Sequence, residues 1–199
     1  MINNDNKIYL YTKFERFWHW AQALFVIALI VTGFDLHGSF HFINFQTTVT
    51  WHNNLGIAWL ILFSFIIFWE FTTGECKQYI PTTKKLITVV NYYMFGIFKG
   101  ENHPVPKTKD KKHNPLQRLS YLGVAVALVP LQMSTGFLYY TYNSWPEWGI
   151  NFNLEIVAFL HTAGAFALII FLIIHVYMTT TGHSPLAHIK AMITGWEEI

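Results

Sequence analysis

Charge is scarce in this sequence. Only 12% of its 199 residues are charged, about half the share of an average soluble domain, and the shortage comes in blocks. No Asp, Glu, Lys or Arg occurs between Arg16 and Asp35, Asp35 and Glu70, Arg118 and Glu147, or Glu155 and Lys190. Each gap holds a run near the 20 residues that a bilayer-crossing helix needs. Helices buried in a soluble protein would keep a polar stripe, which these runs lack. Cysteine is nearly absent as well. Cys76 stands alone, which excludes disulfides within the chain, thiolate-held iron–sulfur clusters and CxxCH attachment of c-type haem. The polar stretch Met1–Tyr11 lacks the basic-then-apolar plan of a signal peptide, so the first span is expected to be retained. The formal net charge is +2, and nucleic acid is not an expected partner.

What is present is hydrophobicity, 53% of residues, with 18% aromatic. The pattern predicts an all-α, integral membrane four-helix bundle forming one membrane domain over residues 1–199. The spans are expected at about 17–34, 48–69, 119–140 and 154–179. All thirteen Lys and Arg lie before the first span, between the second and third, or after the fourth. By the positive-inside rule, both termini and the long central loop face the cytoplasm. Within that loop, residues 84–98 (KKLITVVNYYMFGIF) are apolar with basic residues at both ends, Lys84 and Lys85 before and Lys99 just after. They are expected to form a helix in the membrane interface, its lysines toward lipid phosphates. A fifth span or a re-entrant piece is the competing reading, and a fifth span would break the charge pattern. Glu101–Lys112, polar and lysine-rich, reads as a flexible cytoplasmic linker.

Four histidines, His19, His52, His161 and His175, sit inside or at the lip of the apolar runs. Imidazoles at membrane depth are costly and usually serve chemistry. His161 and His175 share one run, fourteen residues apart. At about 100° per residue the second returns to within roughly 40° of the first, about 21 Å along the axis. One helix thus offers a ligand near each side of a bilayer core about 30 Å thick. Topology places His19 and His175 toward the cytoplasmic side, and His52 and His161 toward the outer side. The pairs are therefore His19/His175 and His52/His161. Facing neutral imidazoles suit several metals. Within lipid, without cysteine or ligating carboxylates, two b-type haems with bis-histidine ligation are the economical reading. A haem-free metal transporter using the same ladder is disfavoured by the near absence of acids from the spans. The other six, His37, His41, His103, His113, His183 and His188, fall in loops or at helix ends.

Gly33, Gly56, Gly136 and Gly164 toward the outer side, and Gly123 toward the inner, would either admit a flat ring or let helices pack closely. Trp18, Trp20, Trp51, Trp69, Trp145 and Trp148 cluster near the expected interfaces as an aromatic belt. Pro130 is expected to bend the third span. Glu70 is either a proton carrier or an end-of-helix acid reaching for water.

FERFWHW at residues 14–20, Thr32-Gly33, HNPLQRLSY at 113–121, Thr135-Gly136 and H-x13-H at 161–175 followed by Tyr177 extend along essentially the whole chain. In these motifs the sequence resembles the cytochrome b subunits of respiratory formate dehydrogenases, thiosulfate reductases and NiFe hydrogenases. The long basic central loop is most similar to the thiosulfate-reductase-like branch, so no particular substrate is carried over. The resemblance implies a di-haem subunit of a bacterial cytoplasmic membrane, linking an extracytoplasmic iron–sulfur or multihaem partner to the quinone pool. Its axial ligands would be His19, His52, His161 and His175. It also implies a site for menaquinone or ubiquinone beside the cytoplasmic haem, where quinone oxidation or reduction would occur. His113, Asn114, Gln117 and His175 are the residues available there. Asn114-Pro115 also reads as a helix start. Arg16 and Arg118 would pair with haem propionates or anchor the helices at the interface. The alternative function is a stand-alone membrane cytochrome b acting on a small redox species such as superoxide. Full turnover by the isolated chain would favour that alternative, and a stable redox companion would favour the subunit.

Overall fold

The computed structural model describes residues 2–3, 7–105, 108, 111–182 and 184–198. His183 and positions 106, 107, 109 and 110 of the expected linker lie outside them. Four helices are long and apolar enough to cross a membrane: α1 (Lys13–Leu36), α2 (Phe45–Thr73), α4 (Pro115–Tyr140) and α5 (Leu154–Thr179). A shorter apolar helix, α3 (Leu86–Lys99), lies in the central loop, and α6 (Ala187–Thr194) follows the last long helix.

The helices start where local hydrogen bonding allows, upstream of the apolar runs. The Thr12 amide donates to Glu15 Oε2 at 2.7 Å and the Glu15 amide to Thr12 Oγ1 at 3.3 Å. This reciprocal cap sets the start of α1 at Lys13, ahead of the apolar run. Asn44 Oδ1 accepts from the Thr47 amide at 2.9 Å and starts α2 at Phe45. Asn114 and Gln117 form a second capping box, with Pro115 in the first turn of α4. The disturbance expected of Pro130 takes the form of a wide, π-type turn at Val124–Leu128. Proline has no amide to give to the carbonyl four residues back and crowds it, so the ladder opens there.

The long helices turn large apolar side chains outward: Ile61 is 65% exposed, Phe159 69% and Ile173 64%. In water such a surface would drive aggregation, whereas lipid is its natural solvent.

The chain divides into two compact units. One comprises Trp18–Trp69 and Ala125–Ile170. Its buried residues include Trp59, Ile66, Val129 and Val157. Asp35, buried at the end of α1, accepts from Thr48 Oγ1 at 2.6 Å and from the Phe42 amide at 3.0 Å. It thereby ties the α1–α2 connection to α2. The other unit comprises Met1–Phe17, Glu70–Val124 and Phe171–Ile199. It holds an unanticipated antiparallel sheet, β1 (Ile2–Asn3), β2 (Lys7–Tyr9) and β3 (Trp196–Glu198), in the order β1-β2-β3. Lys7 pairs with Glu198, Ile8 with Glu197 and Tyr9 with Trp196. Gly195 ends α6 with φ +89°, and a Cβ there would come within 2.6 Å of the Tyr9 ring. Its carbonyl accepts from the Leu10 amide at 2.8 Å. Only glycine satisfies both the left-handed turn and the close approach.

Candidate functional site

His52 on α2 and His161 on α5 face each other with ring centres 6.3 Å apart and planes at 82°. Metal–imidazole bonds of about 2 Å on each side of one ion would put two ring centres about 6 Å apart. The separation therefore suits a shared metal. The surroundings of the two rings match. Thr32 Oγ1 is 2.8 Å from His52 Nδ1, and Thr135 Oγ1 is 3.1 Å from His161 Nδ1. A Cβ on Gly33 would lie 3.5 Å from His52 Cε1, and one on Gly136 would lie 3.0 Å from His161 Cε1. Each histidine thus rests on a Thr-Gly pair of a neighbouring helix. Gln132 Nε2 approaches both nitrogens of His161, at 3.2 and 3.3 Å. A side chain on Gly164 would strike Gln132 Oε1. Gly56 has nothing within 4 Å of its Cβ position, and neither has Gly123. Of the five glycines, then, Gly136 makes room for a histidine ring and Gly164 for the amide beside it, while Gly33 leaves ordinary contact distance to His52. The residues present fit a bis-histidine haem: two facing imidazoles, with glycine where the edge of His161 needs clearance.

The remaining ligand candidates lie in different units. His19, on α1, meets Trp20 edge-on at 5.2 Å. His175, on α5, stacks on Phe171 at 5.8 Å, and its Nδ1 is 3.5 Å from Tyr121 Oη. At that length the contact with Tyr121 is weak.

The expected quinone residues fall at the start of α4. His113 stacks on Tyr79 at 5.2 Å and meets Tyr121 edge-on at 5.2 Å. Tyr121 thus stands between His113 and His175. Asn114 is buried and already engaged. Its Oδ1 accepts from the Gln117 amide at 2.9 Å, and its Nδ2 donates to Tyr93 Oη at 3.0 Å. Gln117 Oε1 accepts from the Asn114 amide at 3.0 Å, which leaves the Gln117 amide donor for other work. Burial pushes the Tyr93 phenol up to about 12, against the pull of the Asn114 hydrogen bond. Burial, followed by the nearby Glu70, also raises the Tyr79 phenol well above its ordinary value. Both phenols therefore stay protonated and act as hydrogen-bonding groups.

The two arginines hold backbone. Arg16 donates to the carbonyls of Ile193 and Thr12, and Arg118 donates to those of His113 (3.1 Å) and Ile80 (3.4 Å). Beside them lies a buried ion cluster. Lys112 Nζ is 2.7 Å from Glu15 Oε1 and 3.0 Å from Glu75 Oε2. Burial alone would lower the lysine, but the two carboxylates outweigh it and hold it above its ordinary range. Glu70 Oε2 is buried without a partner among the described residues. Of the other histidines, His188 at the start of α6 pairs with Glu197 at 2.7 Å, and His103 Nε2 in the central loop lies 3.3 Å from Tyr93 Oη.

Thr32, Thr135, Gln132, Tyr93 and Tyr121 were not singled out from the sequence for these contacts. A signal existed for the first two: the dipeptide Thr-Gly recurs on α1 and α4 at the level of a histidine on α2 and on α5.

Comparison with known proteins identifies the family. The sequence profile described as prokaryotic cytochrome b561 matches residues 10–195. An Escherichia coli K12 protein named as a candidate cytochrome, YdhU, is 30% identical over 203 residues, covering 98% of this chain and 76% of that protein. A protein of Rhodobacter capsulatus named as a probable Ni/Fe-hydrogenase B-type cytochrome subunit is 24% identical, covering 88% of this chain and 75% of that one. One of the same name from Azotobacter vinelandii is 23% identical, covering 98% and 90%. The chain belongs to the prokaryotic cytochrome b561 family and is a membrane cytochrome b.

Proposed function

We propose that the chain is a quinone-linked di-haem subunit, carrying electrons across a bacterial cytoplasmic membrane between an extracytoplasmic redox partner and the quinone pool. The observation that carries this is the His52/His161 pair, facing at 6.3 Å within one unit. His161 shares an unbroken helix with His175. The distribution of Lys and Arg, which puts His19 and His175 toward the same side of the membrane, supports these two as the second pair. The haems, when bound, supply one-electron transfer at two levels of the bilayer. The protein supplies ligand geometry, helix spacing and a medium of low polarity.

The quinone reading rests on the group around His113. This ring, the Gln117 amide donor and His175, with Tyr121 between them, gather hydrogen-bonding side chains at one end of α4. A quinone carbonyl needs a donor, and quinol formation needs a proton source. An imidazole with an unperturbed pKa near 6.5 can supply both. Asn114 contributes its second amide hydrogen while keeping its cap. Arg16 and Arg118 keep guanidinium hydrogens beyond those given to backbone, and these are available to haem propionates. The relatives named as probable Ni/Fe-hydrogenase B-type cytochrome subunits support a catalytic redox partner.

The test is haem stoichiometry and redox titration of the purified full-length chain. Two b-type haems per chain are expected, and His161→Ala should lose one of them. Retention of both haems in His161→Ala would contradict the pairing. Reduction of the remaining haem by a short-chain quinol should persist in that variant.

A further inference from the structure

A hydroxyl carries one proton. Thr32 Oγ1 lies 2.8 Å from the Ala28 carbonyl and 3.2 Å from the Leu29 carbonyl of its own helix. Carbonyls only accept, so the Thr32 proton is committed to the helix. Toward His52 Nδ1, 2.8 Å away, the hydroxyl can then only accept. The ring proton must sit on Nδ1, leaving the lone pair on Nε2. The same construction recurs on α4. Thr135 Oγ1 donates to the Leu131 carbonyl at 2.7 Å, with the Gln132 carbonyl at 3.2 Å, and faces His161 Nδ1 at 3.1 Å. Gln132 Nε2 lies almost equally far from both ring nitrogens of His161, 3.2 Å from Nδ1 and 3.3 Å from Nε2, so the tautomer is carried by the Thr135 contact alone.

We propose that Thr32-Gly33 and Thr135-Gly136 are duplicated positioning pairs. They fix Nε2 as the ligating nitrogen of His52 and His161 and set the donor strength of both imidazoles. This inference rests on the haem reading above. A hydroxyl that already donates is a stronger acceptor, and an Nδ1–H bond to it raises the basicity of the ligating nitrogen. A more basic ligand favours the ferric state, so the threonines hold the potential of this haem down. The glycines do the steric part, unequally. An alanine at position 33 would make ordinary contact with the ring at 3.5 Å, whereas one at 136 would crowd it at 3.0 Å.

Redox titration with electron paramagnetic resonance on the purified full-length chain tests this. Thr32→Val and Thr135→Val should each raise the midpoint potential of one haem and reduce its retention about tenfold. The other haem should not move, and Thr→Ser at either position should restore both properties. Complete loss of that one haem in the valine variants, with full retention in the serine variants, also supports the proposal. Gly136→Ala should alter the signal of that haem, and Gly33→Ala should not. Unchanged potentials in valine variants that keep the haem, equal movement of both haems, or serine behaving like valine would overturn it. His161→Ala as a control separates the two levels: if it keeps both haems, the ligand assignment itself fails, whatever the threonines do.

Discussion

Asn114 combines two jobs whose chemistry can be separated. Its Oδ1 caps α4 and its Nδ2 reaches Tyr93 Oη. Asn114→Asp keeps the cap acceptor and removes the donor, whereas Asn114→Ala removes both. Alanine should cost about 1 kcal/mol of stability and aspartate much less, as read from denaturant midpoints in detergent. If the amide also serves a quinone carbonyl, both variants should keep two haems and lose quinol reactivity alike; unchanged quinol kinetics would move the quinone elsewhere. Lys112 is a different case, because its side chain is 7% exposed between Glu15 and Glu75. Lys112→Met would leave two carboxylates without their cation. A fully buried pair broken this way costs about 3–5 kcal/mol, but Glu75 is 35% exposed, so solvent screening reduces the expected loss to about 2 kcal/mol. The lysine is held above 10.5. A group raised in the folded state stabilises fully below its unfolded value, and that contribution is lost as pH rises through the folded one. Wild type and Lys112→Met should therefore differ at neutral pH and converge only in strongly alkaline solution. A constant difference across that range would remove the ion cluster from the account.

Among the elements, α3 shows the sharpest division of faces. Val89, Tyr92 and Gly96 are buried, and Tyr93 reaches Asn114 and, through its carbonyl, the Tyr177 hydroxyl. Ile87, Met94, Phe95 and Phe98 are exposed, with Lys84, Lys85 and Lys99 at the two ends. One face packs on protein while the other offers apolar side chains bracketed by cations, as an interfacial helix requires. Phe95→Trp should fluoresce from the headgroup boundary and be quenched more by bromines high on the acyl chain than by bromines at the bilayer centre. The opposite order would make this stretch a re-entrant or spanning piece. The long helices were legible because apolar runs without charge have few other fates, and their caps, Asn114-Pro115 above all, follow from local hydrogen bonding. The terminal sheet was not legible. Its strands are two or three residues long, and β3 pairs with β2 from the far end of the chain, so no alternation marks them. The threonines beside His52 and His161 were hidden for a related reason. A side chain's partner on another helix is set by how the helices pack, which spacing along one helix does not reveal. The histidines stood out because an imidazole is anomalous in lipid, whereas a threonine bonded to its own helix is ordinary.

For the molecule as a whole, sidedness decides what the redox sites can do. The thirteen cations avoid the α1–α2 and α4–α5 connections entirely, so the positive-inside rule makes the outer face the expected side for those connections and the cytoplasm the expected side for both termini. If so, electrons entering near His52 and His161 and leaving near His19 and His175 carry negative charge inward, and protons drawn from the cytoplasm for a quinone near His113 add to the membrane potential. Reversed sidedness would make the same chain dissipate that potential, so the assignment is functional as well as topological. The lone cysteine makes it easy to test. In a Cys76→Ser background, single cysteines at Ser39 or Asn151 should react with a membrane-impermeant maleimide in right-side-out vesicles. One at Thr82 should react only in inverted vesicles. Ser39 and Asn151 are exposed and lie in the two connections without Lys or Arg, and Thr82 lies in the basic central one, so no substitution disturbs a helix. Labelling of Thr82→Cys from outside would reverse the charge assignment and, with it, the direction in which this chain can couple electron flow to the membrane potential.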